Sequence, residues 1–131
     1  MAFPGTLNIN YYKGDTYEFR IYPKTSLGAS FDLTGYGQIV NGLQTAKFTI
    51  STSRGSSGVS GKIECLAVIT SGVYGNYVTC TIRPEDSLTM NAATQYVYDV
   101  EITKTASPYN YVYTLLTGSV TVTDHIAGAI V

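Results

Sequence analysis

Two runs in the last third of the chain constrain its fold more than any other feature: Gln95 to Ile102 reads QYVYDVEI and Thr114 to His125 reads TLLTGSVTVTDH. On an extended strand, successive side chains leave opposite faces. The first run therefore sends Tyr96, Tyr98, Val100 and Ile102 one way and Val97, Asp99, Glu101 and Thr103 the other. Such a strand is apolar on one side and wetted on the other, as in a half-buried antiparallel sheet. The second run repeats the pattern with Val120 and Val122 against Thr121 and Thr123, and Ala106 to Asn110 supplies the Ser, Pro and Asn of a reversal. Together they predict the closing hairpin of a β-sandwich.

Earlier segments keep the same period. Leu7 to Tyr12 alternates Leu7, Ile9 and Tyr11 against Asn8, Asn10 and Tyr12, and a Lys13-Gly14-Asp15 break leads into Thr16 to Tyr22. This predicts a first hairpin, which Pro23 ends because it has no N–H to donate. Phe31 to Gly35 reads as a fixed turn, with Asp32 accepting from backbone N–H groups ahead of it and Gly35 free to take positive φ. Tyr36 to Leu43 fits no single pattern. Thr45 to Ser53, Lys62 to Ile69 and Asn76 to Arg83 read as strands, the last two joined as a hairpin that sets Cys65 opposite Cys80. Arg54 to Gly61 (RGSSGVSG) is a polar loop. Pro84 to Met90 is the one passage that suggests a helical turn, with Pro84 at its start and Glu85 and Asp86 behind it. The expectation is a single all-β domain over residues 1–131, an Ig-like antiparallel β-sandwich of about eight strands with one short helical turn.

Composition narrows function. Eight Lys and Arg stand against nine Asp and Glu, so no strong field exists to draw in nucleic acid or an anionic membrane. Only 13% of residues are charged, about half the usual share of roughly 25%. The surface must then be rich in Ser, Thr, Asn, Gly and Tyr, which lose less side-chain entropy on immobilisation than Lys or Glu. With twelve tyrosines and no tryptophan, that surface suits permanent assembly. The segment MAFPGTLNIN carries no signal-peptide pattern, and no apolar run approaches the roughly 20 residues of a membrane span.

The residues that carry chemistry are few. His125 is the one histidine, no GxSxG nucleophile context is present, and Asp99 and Glu101 share one outward strand face. RGSSGVSG lacks the Lys and the strand-to-helix frame of a phosphate loop. Cys65 and Cys80 admit a disulfide, a metal half-site or two small buried apolar side chains. The expectation is a protein that is not an enzyme and uses no metal or cofactor. Tyr109, Tyr111 and Tyr113 alternate in PYNYVYT and suit either a sugar-stacking platform or an aromatic core and subunit face, with the second favoured.

The order of the parts, YKGDTYEFRI, FDLTGY, AKFTIS, GKIECLAV, then a Pro-led turn, TQYVYDVEI and TLLTGSVTVTDHI, resembles small β-sandwich structural domains of tailed bacteriophages. Among these are the N-terminal domains of some baseplate upper proteins. The resemblance covers nearly the whole chain, and DLTGY followed by YVYDVEI and TLLTGSVTVT is its specific part. It implies a framework role for Asp32, Gly35, Tyr98 and Asp99. Baseplate proteins of this kind continue into coiled coil or further modules, whereas this chain runs six residues past His125. The expected role is therefore a multi-copy capsid decoration protein or an accessory of the tail, neck or baseplate, located in the virion and held by contacts with other virion proteins. A carbohydrate-binding module that aids attachment to the host surface is the alternative. The candidate contact residues are Met1, Phe3 and Pro4 at one terminus, Ile126, Ile130 and Val131 at the other, and Tyr109 and Tyr111.

Overall fold

The computed structural model describes residues 4–53, 62–73, 75–92 and 94–124. The RGSSGVSG loop, Met1, Phe3, His125 and the tail that carries Ile126, Ile130 and Val131 lie outside them. The fold is an all-β sandwich. Its strands are β1 (Gly5–Thr6), β2 (Ile9–Tyr12), β3 (Tyr17–Ile21), β4 (Gln38–Val40), β5 (Leu43–Thr45), β6 (Lys47–Ser51), β7 (Ile63–Thr70), β8 (Tyr77–Ile82), β9 (Gln95–Lys104) and β10 (Tyr111–Thr123). A 3₁₀ helix over Pro84–Thr89 is the helical turn expected there, and it carries the chain from one sheet to the other.

One layer runs β1/β2, β10, β9, β6, and the other runs β4, β5, β7, β8, β3. β7 joins them: Ile63 to Cys65 pair with β6, and Leu66 to Thr70 pair with β8. β5 and β6 hold one continuous register against β7, bridged by the Ala46 N–H donating to the Ala67 carbonyl at 3.0 Å. β1 and β2 likewise share one register on β10. Read as continuous strands, the ladders come to about eight, as the sequence implies.

Two pairings of the N-terminal strands differ from expectation. The strands either side of Gly14 do not form a hairpin: β2 pairs with β10 in one layer and β3 with β8 in the other. The turn, closed by the Asp15 N–H donating to the Tyr12 carbonyl at 3.0 Å, crosses between layers. Each strand thereby covers a different sheet edge and both inner faces point into one core. The second difference follows from the first. Because the N-terminal strand crosses to the far layer, it meets β10 in parallel, while the remaining ladders are antiparallel.

The period-two reading of β9 holds residue by residue. Tyr96, Tyr98, Val100 and Ile102 are buried, and their neighbours face outward or are half-covered. Tyr98 lies at the centre, its ring 5.6 Å from Phe48 of the same layer and 6.5 Å from Phe19 of the opposite one, both edge-on. Its hydroxyl donates to the Leu7 carbonyl at 2.6 Å, which draws the N-terminal strand inward between β1 and β2. There Asn8 replaces a ladder carbonyl, its Oδ1 accepting from the Ser119 N–H and hydroxyl at 3.2 Å each. Tyr96, near the start of β9, accepts from the Asn91 N–H at 2.8 Å, the tyrosine-corner arrangement of Ig-like sandwiches.

Gly118 is what lets the backbone come so close. A Cβ there would lie 2.1 Å from the Leu7 carbonyl oxygen and 3.1 Å from the Tyr98 ring. Gly118→Ala is therefore expected to expel the N-terminal strand and lower unfolding stability by about 2–3 kcal/mol. Gly5→Ala, whose Cβ would meet only the Leu116 side chain at 3.4 Å, serves as the control in the same urea titration, and a change within about 0.5 kcal/mol is expected for it.

Candidate interaction surfaces

Strand direction sorts the loops into two ends. β3 and β7 run toward the same end at which β8 and β10 begin, so the loops 22–37, 71–76 and 105–110 and the turn at Asn41-Gly42 gather there. The opposite end holds the Lys13-Gly14 turn, the 3₁₀ helix and the exit of β10.

The second end is tied by polar contacts. Asp86 accepts from the Arg83 backbone N–H at 2.8 Å and pairs with its guanidinium through two bonds of 3.0 and 2.9 Å. The buried Ser87 hydroxyl donates to Pro84 O at 2.8 Å and accepts from the Gly14 N–H at 3.0 Å, while the Tyr11 hydroxyl donates to Asp15 O at 2.7 Å. Glu85 and Asp86 thus stand at a helix start, as the sequence suggests.

At that end Tyr12 and Leu88 are exposed, and the loop-bearing end exposes more apolar side chains. Tyr22, Leu27, Ile39, Val40, Leu43, Val73, Tyr109, Tyr111 and Val112 are all exposed there, with Ile39 at 71% and Tyr109 at 65%. Ile39, Val40 and Leu43 belong to the β4–β5 hairpin, which the sequence reading left undetermined. Its signal was present: Asn41 and Gly42 both take positive φ, 51° and 79°, in the two-residue turn that Asn-Gly favours. The FDLTG turn beside it is built as expected, with Asp32 Oδ1 accepting from the Thr34 N–H at 3.0 Å, a bond that holds the Asp32 carboxyl below its ordinary pKa. Gln44 donates to the carbonyls of Leu33 and Tyr36 and so pins this loop to the hairpin.

The three tyrosines of PYNYVYT separate. Tyr113 is half-buried and packs with Phe31 (5.9 Å) and Tyr36 (6.3 Å), an aromatic cluster over the end of the core. Tyr109 and Tyr111 stay exposed, their rings 5.7 Å apart and inclined at 69°. Rings so tilted present no common flat face. Of the other candidate contact residues, Pro4 is exposed at the start of the N-terminal strand.

On the outer face of β6, β7 and β9 lies a shallow groove of about 300 Å³ lined by Lys47, Thr49, Ser51, Lys62, Glu64, Asp99 and Glu101 among others. Lys47 stands directly across from Glu101 and Thr49 from Asp99. The interleaved charges make a solvated face. Among the described residues, no group of three His, Cys, Asp or Glu is placed to hold a metal, and no helix is long and apolar enough to cross a membrane.

The cysteine hairpin forms, but its register sets Cys80 opposite Ala67 rather than Cys65. Both thiols are free and buried, as small apolar groups would be. The expected directly opposed pair fails because the 71–76 connection is centred one residue beyond the midpoint the thiols need, which moves the partner of Cys80 by two positions to Ala67. Comparison with models of known protein families and with curated proteins finds no match.

Burial raises both thiol pKa values, Cys80 to about 12 from an ordinary 9.0. An unfolded chain releases these protons from about pH 9 while the fold retains them, so the unfolded state binds fewer protons above that pH. Stability is then full below pH 9 and falls as pH rises toward 12. The expected slope from Cys80 is about 1.4 kcal/mol per pH unit. Denaturant titrations from pH 8 to 11 check this, with a shallower alkaline slope expected for Cys80→Ala.

Proposed function

We propose that this chain is a non-enzymatic structural protein of a tailed-phage particle, a capsid decoration protein or a tail, neck or baseplate accessory, that assembles by burying surface against other virion proteins. The observation that carries this reading is the gathering of exposed apolar and tyrosine side chains at one end of the sandwich, while the other end is tied by its own polar contacts. Exposed apolar surface of that extent, contributed by four separate segments, is stabilised when another chain covers it. Tyr109 and Tyr111 are rigid amphipathic anchors of the sort that dominate interface energetics. The low charge of the chain and the resemblance of DLTGY, YVYDVEI and TLLTGSVTVT to phage sandwich domains support the same assignment.

Quantitative mass spectrometry of purified particles tests it. Hundreds of copies relative to the major capsid protein are expected for a decoration or tube component, a handful in multiples of three or six for neck or baseplate, and absence from the particle removes the virion assignment. Tyr111→Ala is expected to cut the incorporated copy number roughly tenfold, as loss of an interface anchor does, with thermal stability unchanged. A glycan screen of the wild-type chain distinguishes the alternative of sugar binding: the structural reading expects no signal, and a signal abolished by Tyr111→Ala supports host-surface attachment instead.

A further inference from the structure

The turn between β4 and β5 carries a reactive pair. Asn41 and Gly42 are exposed, with φ of 51° and 79°. A Cβ built on Gly42 would meet nothing within 4 Å. Of the asparagines in the chain, Asn41 alone precedes a glycine, and the others precede Ile9, Tyr11, Tyr77, Ala92 and Tyr111. Asn8, Asn76 and Asn110 are also held in place, their Oδ1 atoms accepting from the backbone N–H groups of Ser119, Leu33 and Ala106. The Asn41 side chain has no hydrogen-bond partner among the described residues. A glycine nitrogen, with no Cβ beside it, is the least hindered backbone nucleophile toward the side-chain amide that precedes it.

Attack by that nitrogen closes a cyclic imide. The Gly42 nitrogen gives up its proton and bonds to the Asn41 Cγ, the Cγ–Nδ2 bond breaks, and Nδ2 leaves as ammonia with the proton. Water then opens the ring. Added at Cγ, it leaves an aspartyl residue in the ordinary chain; added at the backbone carbonyl carbon, it leaves an isoaspartyl linkage whose main chain runs through Cβ and Cγ. Either product carries a new carboxylate. Ring closure needs the Asn41 Cβ and the Gly42 nitrogen on the same side of the Cα–C bond, whereas the left-handed turn sets them on opposite sides. The hairpin must therefore open before it reacts. It is held by three register pairs and all three residues of β4 are exposed, so it opens at less cost than unfolding the sandwich.

We propose that Asn41 is a modification site that ages unassembled copies: its amide is lost while the chain is free, and the carboxylate formed weakens docking of the apolar end. This rests on the reading of that end as an assembly surface. The new charge falls beside Ile39, Val40 and Leu43, which are exposed apolar side chains. A covering chain would bury it without a partner, which is unfavourable. Covering also holds the β4–β5 hairpin closed, so assembled copies keep the amide.

Peptide mapping by mass spectrometry of the full chain, incubated folded at mildly alkaline pH, tests the chemistry. Conversion of Asn41 is expected to run several-fold ahead of every other asparagine, with aspartyl and isoaspartyl products both present. Asn41→Gly leaves a Gly-Gly pair that the same turn accepts, and it is expected to fold alike and acquire no negative charge on isoelectric focusing. The same chain held unfolded in urea is the reference: if it converts at Asn41 while the folded chain does not, the fold protects the amide and the inference is overturned. Faster conversion at another asparagine overturns it equally. Asn41→Asp, which also suits the turn, tests the consequence. It is expected to enter particles at a copy number roughly tenfold below wild type, and chain recovered from particles is expected to keep the amide that free chain of the same age has lost. Entry of Asn41→Asp at the wild-type number overturns the inference alone, provided that Tyr111→Ala still fails to enter. Absence of the wild-type chain from particles removes the proposed function, and the inference with it, whatever the peptide map reads.

Discussion

The hydrogen bond from the Tyr98 hydroxyl to the Leu7 carbonyl is the contact on which the other parts of the sandwich depend. Its donor sits on the central strand of one layer, in ring contact with Phe48 beside it and Phe19 across the core. Its acceptor belongs to the N-terminal strand, which covers the edge of β10. A buried phenol needs a partner, since leaving it unmade costs about 1–3 kcal/mol. Here the partner is a backbone carbonyl that can be reached only because Gly118 has no side chain. Sequence choices at Leu7, Tyr98 and Gly118, far apart along the chain, therefore have one geometric solution. Fixing β1 and β2 on β10 then commits the Gly14 turn to cross the core and places β3 on the opposite layer.

That dependence explains what was legible in the sequence. Alternation is local, so the buried and exposed faces of β9 and β10 could be read from Tyr96, Tyr98, Val120 and Val122 alone. Partner choice is not local. The Lys13-Gly14-Asp15 break looks the same whether the flanking strands pair with each other or with separate sheets, and long-range contacts such as those of Tyr98 with Leu7 and Asn8 with Ser119 accompany the second outcome. The register of the cysteine hairpin fails for a related reason: a six-residue connection sets no midpoint by itself, and the position of Val68 against both Thr45 and Thr79 fixes it instead. The Asn41-Gly42 turn is the opposite case, a strong local signal that was in the sequence and went unread because Ile39 and Val40 lack alternation. They lack it because all three residues of β4 are exposed.

The surface was legible in part for the same physical reason. Tyr109, Tyr111 and Tyr113 share a spacing, and spacing tells which way a side chain points but not how far the facing layer extends. Phe31 and Tyr36 pack against Tyr113. Beyond them Tyr109 and Tyr111 stand above the core with only each other as ring partners among the described aromatic contacts. Composition indicated that some tyrosines would be exposed, while topology decided which.

The distribution of charge completes the argument for end-on assembly. Lys47, Lys62, Glu64, Asp99 and Glu101 lie on the outer face of one layer, Glu18 and Arg20 on that of the other, and Arg83 with Asp86 at the polar end. Such faces stay hydrated, because two of them brought together would have to desolvate charges that already face one another across the sheet, as Lys47 faces Glu101. The apolar end carries few charges, and one of them, Lys104, lies over the Tyr36 ring at 5.6 Å. On the proposed reading, a chain with so few charges overall places them where lateral contact would bury them and leaves the sandwich end to bear the contact. The scarcity of Lys and Glu is then, on that reading, less a general trait of the surface than a partition: broad faces that stay hydrated and one end that adheres.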